Sequence, residues 1–164
     1  RAAAIRTEQL TAEPLDLSSR VKGVGGMERS LKQVLRMRCF DIFLHEIDIR
    51  DALGMSEPQL GAAARVTAEL IADGLGFVWV KRAGAEPGDV LHLVVADWLD
   101  AWVGVGEDGR GRMIEPGGAT TTLALAPLDF LRLGSGRGGD VAAAGVGGDL
   151  ERCQKVLAGL NVSP

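Results

Sequence analysis

Around residues 84–88 the recurrence of apolar residues changes from helical spacing to short β-type runs, and the Pro87-Gly88 pair marks the turn between the two patterns. That change limits the chain to an all-helical part followed by a part that mixes strands with helices. The expected class is α+β, with helices packed on one face of a small, mostly antiparallel sheet. Two domains are expected, residues 1–84 and residues 85–164.

In the first part, an uninterrupted helical pattern runs from Met27 to about Leu53 and stops at Gly54, a residue suited to the left-handed conformation that closes helices. Ser56 and Gln59 have the spacing of a capping box, and Pro58 suits a first turn. A second helix is therefore expected, with Leu60, Ala64, Ile71, Leu75 and Val78 at helical spacing and an end near Gly84. In the second part, strands are expected at 90–95, 102–105, 112–114 and 120–125. Glu107-Asp108-Gly109 and Pro116-Gly117-Gly118 supply turns, and the four strands read as an antiparallel meander. A short helix at 126–133, a strand at 141–146 and a last helix complete the pattern. In that last helix Asp149 is the expected N-cap and Gly159 the C-cap, with Leu150, Cys153, Leu157 and Leu160 as the buried stripe.

At 164 residues and 46% hydrophobic, the chain is long enough to bury a core. Its net charge of −4 is mixed along the sequence without a basic stripe, which argues against nucleic acid as a partner. No run approaches the ~20 apolar residues of a membrane span, and no signal-peptide pattern opens the chain. The two cysteines, Cys39 and Cys153, fit small buried or half-buried helix positions, so a reducing compartment is expected, by default the cytoplasm. The chain opens on Arg1 and runs into the helix-like AAAIRTEQL, from which an N-terminally truncated protein is expected.

Chemistry concentrates on the Met27 helix. At ~100° per residue, Arg38, Asp41, His45 and Asp48 fall in one narrow arc. Met37, Phe40, Leu44 and Ile47 lie on one side of it and Leu31, Leu35, Ile42 and Ile49 on the other, while Arg36, Glu46 and Arg50 point away. The stripe is thus expected to face inward between two apolar flanks. An unpaired polar group there costs on the order of 1 to 3 kcal/mol, so something must compensate it. A divalent metal held by Asp41 and His45, one helical turn apart, is one compensation. Internal pairing is the other, with Arg38 bridging Asp41 and His45 donating to Asp48.

The run RMRCFDIFLHEIDIRDALG at 36–54 resembles the motif of the mycothiol-dependent maleylpyruvate isomerase-like family: a carboxylate four residues before a histidine, then an acidic residue and a Leu-Gly ending. The strand layout, APLDFLRLGSGRGG and the closing GDLERCQKVLAGLNVSP are similar to that family's sterol-carrier-protein-like C-terminal domain. The resemblance covers about residues 26–164. It implies a DinB-like bundle that binds a divalent metal, typically zinc, through an early histidine plus the motif's carboxylate and histidine. By position these last two are Asp41 and His45. Glutamate is usual where Asp41 stands, and the early histidine has no counterpart in this chain. The implied chemistry is activation of mycothiol or a similar thiol by the metal, for an isomerase or transferase acting on a small molecule. Asp48 is then a partner that orients a ligand histidine. A non-catalytic module binding a small ligand or a protein is the other class of function.

GSGRGG at 134–139 matches G-x-G-x-x-G but precedes a strand, the wrong context for a dinucleotide. Arg137 within it is a candidate catalytic residue, reaching the interdomain cleft to hold a substrate carboxylate, or else a solvated loop arginine. His92 is expected as a surface or half-buried strand residue. Trp98 and Trp102 bracket a change of direction and are expected to anchor the sheet to the helices. Ser135 and Ser163 have no histidine partner for nucleophilic chemistry.

Overall fold

The structure is a computed structural model that describes residues 15–162; the AAAIRTEQL run and Ser163 lie outside the described residues. It opens with an antiparallel ribbon of β1 (Arg20–Lys22) and β2 (Glu28–Ser30), followed by helix α1 (Leu31–Ala52). The helix therefore starts four residues later than the apolar pattern predicts. Gly25 and Gly26 take positive φ and reverse the chain into the ribbon. Ser30 then caps the helix, its side chain accepting from the Gln33 amide at 3.2 Å. At the other end Gly54 adopts φ 61, as its position implied. The Met55 amide donates to Arg50 O and the Gly54 amide to Asp51 O, closing the helix with a Schellman motif.

The expected capping box at Ser56 does not form, because the Arg50 side chain draws the Ser56 carbonyl back onto the end of α1 at 3.1 Å. Helix α2 (Ala62–Ala72) starts instead behind Gly61, with no side-chain cap. The predicted run to Gly84 is broken at Asp73–Gly74. It resumes as a single turn, α3 (Leu75–Phe77), and widens into a π-helical turn at Val78–Arg82. Close packing forces the break: a Cβ on Gly74 would sit 2.7 Å from Val162, and Gly76 presses its backbone against that of Gly111. Trp79, within the π turn, is fully buried.

Five strands form the main sheet, in the order β5 (Gly111–Met113), β4 (Leu99–Val105), β3 (Val90–Val95), β6 (Thr121–Leu125), β7 (Gly145–Gly148). The fold class is α+β, a mostly antiparallel sheet packed with helices. The first three strands make the expected meander, but β6 departs from it: it returns to the far side of β3 and pairs with it in parallel, Leu93 opposite Leu123. Burial explains the choice. Thr121, Leu123 and Leu125 continue the apolar face of Leu91, Leu93 and Val95, whereas β5 carries Arg112 and the exposed Met113 and suits an edge.

Helix α4 (Pro127–Gly134) follows β6, and α5 (Leu150–Gly159) closes the chain. Phe130, Val156 and Leu160 join Phe43, Ile47, Ile71 and Trp79 in one buried cluster fed by both parts of the chain. The strand expected at 141–146 forms later, at 145–148, because residues 141–144 turn on hydrogen bonds from the Ala142 and Ala143 amides to the Asp140 side chain. Asp149 caps α5 as expected, accepting from the Arg152 amide. The buried face of α5 is Cys153, Val156 and Leu160. Leu150 is exposed and Leu157 only partly covered. Gly159 ends the helix without a positive φ; it makes room for the Arg82 side chain, which donates to the Gly159 and Asn161 carbonyls.

Candidate functional site

Helix α1 buries Phe40, Phe43, Leu44 and Ile47, and leaves Leu35, Ile42 and Ile49 exposed. Only one of the two apolar flanks read from the wheel therefore meets the core. The polar stripe runs along the edge of that buried face. The Asp41 side chain is 49% exposed and that of His45 67%, which overturns the inward orientation expected for them. Water supplies much of the compensation that burial would have demanded from a metal or a salt bridge.

The stripe nonetheless walls a cleft. Asp41 and His45 line a cavity of about 540 Å³ together with Arg137, which comes from the loop after α4. The three candidate site residues are thus brought to one place. Arg137, however, does not extend a free fork into it. Its Nε and Nη2 each donate to Asp48 at 2.6 Å, and Nη1 donates to Ser135 O. This bidentate hydrogen bonding holds the Asp48 carboxyl below its ordinary range, against a smaller opposing effect of burial. His45 sits between two carboxylates, Nε2 at 3.5 Å from Asp41 and Nδ1 at 3.4 Å from Asp48, both longer than a good hydrogen bond. Arg38 reaches Asp41 at 3.4 Å.

Two further features escaped the sequence reading. Arg132 grips Asp51 through two 2.7 Å hydrogen bonds, a second fork beside the first, so residues three apart on α1 are tied to one arginine in α4 and one in the loop just after it. The sequence holds two aspartates a helical turn apart and two arginines near the end of α4, but nothing local pairs residues that distant. Arg29, from β2, also walls the cleft, although its sequence position lies outside the helix that drew attention.

The other singled-out residues lie elsewhere. His92 is half-buried on β3, as expected; its ring stacks on Trp102 at 3.9 Å and its Nε2 meets Asp100 at 2.8 Å. Trp102 is thus spent within the sheet instead of anchoring it to helices. Trp98 does bridge to α2, with the Arg65 guanidinium 5.0 Å from its ring centre. Ser135 is buried and donates to Leu131 O. A wider groove of about 880 Å³ between the 136–146 loop and α5 is lined by Leu133, Val141, Val146 and Leu157 and carries no ionisable side chain.

For a divalent metal, the stripe offers two donors, Asp41 and His45, since both oxygens of Asp48 are taken by Arg137. Among the described residues no group of three or more His, Cys, Asp and Glu gathers as a metal cluster. An open catalytic zinc site uses three protein ligands, so the described residues fit only part of one. A third donor would have to come from outside them.

Among the described residues no helix is long and apolar enough to cross a membrane. No protein-family model matches this chain, and no curated protein sequence matches it.

Proposed function

We propose that the α1 cleft is the substrate site of a metal-dependent, cytoplasmic enzyme that uses a low-molecular-weight thiol such as mycothiol, an isomerase or transferase of the maleylpyruvate isomerase-like kind. One observation carries the reading: Asp41 and His45 on α1 line the same cavity as Arg137, which is distant from them in sequence. Asp41 and His45 would supply two ligands to zinc or a similar ion, whose role when bound is to lower the pKa of a bound thiol. The Asp48–Arg137 fork holds the α4 loop against α1 and so fixes one wall of the cleft. Asp48 faces His45 from the far side of its ring, where it limits rotation of the imidazole. The test is metal content by elemental analysis after zinc loading and desalting. Uptake that is lost in His45→Ala and in Asp41→Ala supports the reading; stoichiometry unchanged by either substitution defeats it.

A second reading is favoured by the pairing within the stripe, where Asp41 has Arg38 and Asp48 has Arg137. On that reading the chain is a non-catalytic binding module whose ligand or protein partner occupies the apolar groove beside α5. Binding of an apolar fluorophore that survives the double substitution of Asp41 and His45, with no zinc uptake in the parent chain, selects it over the first.

A further inference from the structure

The cationic groups of the α1 cleft are not equivalent. Arg137 is neutralised by Asp48, and Arg38 stands opposite Asp41. The Arg29 side chain has no hydrogen bond or ion pair among the described residues, and its Nε is sealed from solvent with no acceptor. It is only half-buried as a whole, and its side chain contributes to the cavity wall. The ribbon explains how it is held there. Arg29 pairs with Val21 across β1 and β2, and the aliphatic stem passes over Gly23, where a Cβ would come within 3.5 Å of Cδ. Among the described residues one positive charge in the cleft is therefore uncompensated, and leaving a guanidinium partly desolvated without an acceptor is costly.

Apart from these arginines, Asp41, which Arg38 faces, and His45, the wall is apolar: Met27, Val34, Met37, Phe40, Leu44 and Leu70. A volume of about 540 Å³ suits a small organic molecule. We propose that Arg29 is the anion anchor of this cleft and that its ligand is a small organic carboxylate with an apolar body. With Nε covered, the carboxylate meets the guanidinium end-on through Nη1 and Nη2, and the body lies over Phe40 and the methionines. A single guanidinium without a partner among the described residues matches a monoanion better than a phosphate dianion. The assignment rests on the reading of the α1 cleft as a substrate site, which it extends by naming the class of molecule and the residue that selects it.

The test is calorimetric or NMR titration of the full chain, stripped of metal with chelator, against phenylacetate, its neutral counterpart phenethyl alcohol, and phenyl phosphate. Phenylacetate is expected to bind about tenfold tighter than the alcohol, a preference lost in Arg29→Gln and partly kept in Arg29→Lys. Circular dichroism establishes that each variant is folded, and the lysine variant decides the matter if the glutamine variant is not. Equal binding of acid and alcohol, or a preference that survives in Arg29→Gln, overturns the proposal. Tighter binding of phenyl phosphate overturns the carboxylate assignment. Because the titration is done without metal, its failure alongside normal zinc uptake sinks only the anchor. Success alongside absent zinc uptake sinks only the metal reading.

Discussion

Arg137 donates through Nε and Nη2 to the two oxygens of Asp48 across 89 residues of sequence, both at 2.6 Å. The pair joins the helical part of the chain to the loop that follows α4, and its neighbour Arg132–Asp51 repeats the arrangement. Partly exposed ion pairs contribute little singly, but bidentate geometry and repetition are the conditions under which they count.

Removing the first fork should therefore be measurable. Asp48→Asn is expected to lower stability by roughly 1 kcal/mol at neutral pH, since Arg137 keeps its charge and loses its counterion. Because the folded Asp48 carboxyl is held below its ordinary value, its contribution is present above the unfolded value of about 3.9 and is lost as pH falls through the folded one. The gap between the urea midpoints of the two proteins should thus be smaller near pH 3 than at neutral pH. A gap that persists undiminished at the lower pH assigns the effect to packing, not to the charge.

Helix α1 provides a sharper contrast. Ile47 is fully buried and Ile49, two residues on, is 57% exposed. Truncating Ile47 to alanine removes core volume and is expected to cost ~2 to 5 kcal/mol, while Ile49→Ala should stay within ~0.5 kcal/mol of the parent. Chemical denaturation of the two variants checks this. Comparable losses would mean that the outer flank of α1 is covered, and the orientation of the helix would have to be revised.

That contrast also marks where sequence reasoning stops. The break in periodicity at Pro87-Gly88, the cap at Asp149 and the terminating glycines at 54 and 84 are local features, set by backbone geometry within a few residues, and they were readable. Which flank of α1 faces the core was not. Leu35, Ile42 and Ile49 are as apolar as Phe40, Leu44 and Ile47, and a wheel ranks hydrophobicity without knowing what stands opposite. The parallel pairing of β3 with β6 was hidden for a similar reason, since alternation within a strand fixes its faces but not its neighbours. From sequence alone Arg137 reads as a fork for a substrate carboxylate and Asp48 as a partner of the stripe histidine, and nothing local joins the two. Only the three-dimensional arrangement sets the two against each other.

The two cysteines should be separable by their reactivity. Cys153 is fully buried on α5, its Sγ 3.4 Å from Thr122 O and 3.6 Å from Gly147 O, beneath the β6–β7 corner. Cys39 is half-buried on α1, and burial pushes its thiol above the ordinary range, which reduces the reactive thiolate at pH 8. Labelling with a chromogenic disulfide should therefore modify Cys39 alone in the native protein, more slowly than it modifies an unfolded cysteine. Cys153 should follow only on addition of denaturant. Cys39→Ser should abolish the native phase and leave the denatured one. If Cys153 instead reacts without denaturant at the rate of Cys39, the seal between α5 and the sheet edge opens in the native state, and the apolar groove beside it is larger in solution than its static walls describe.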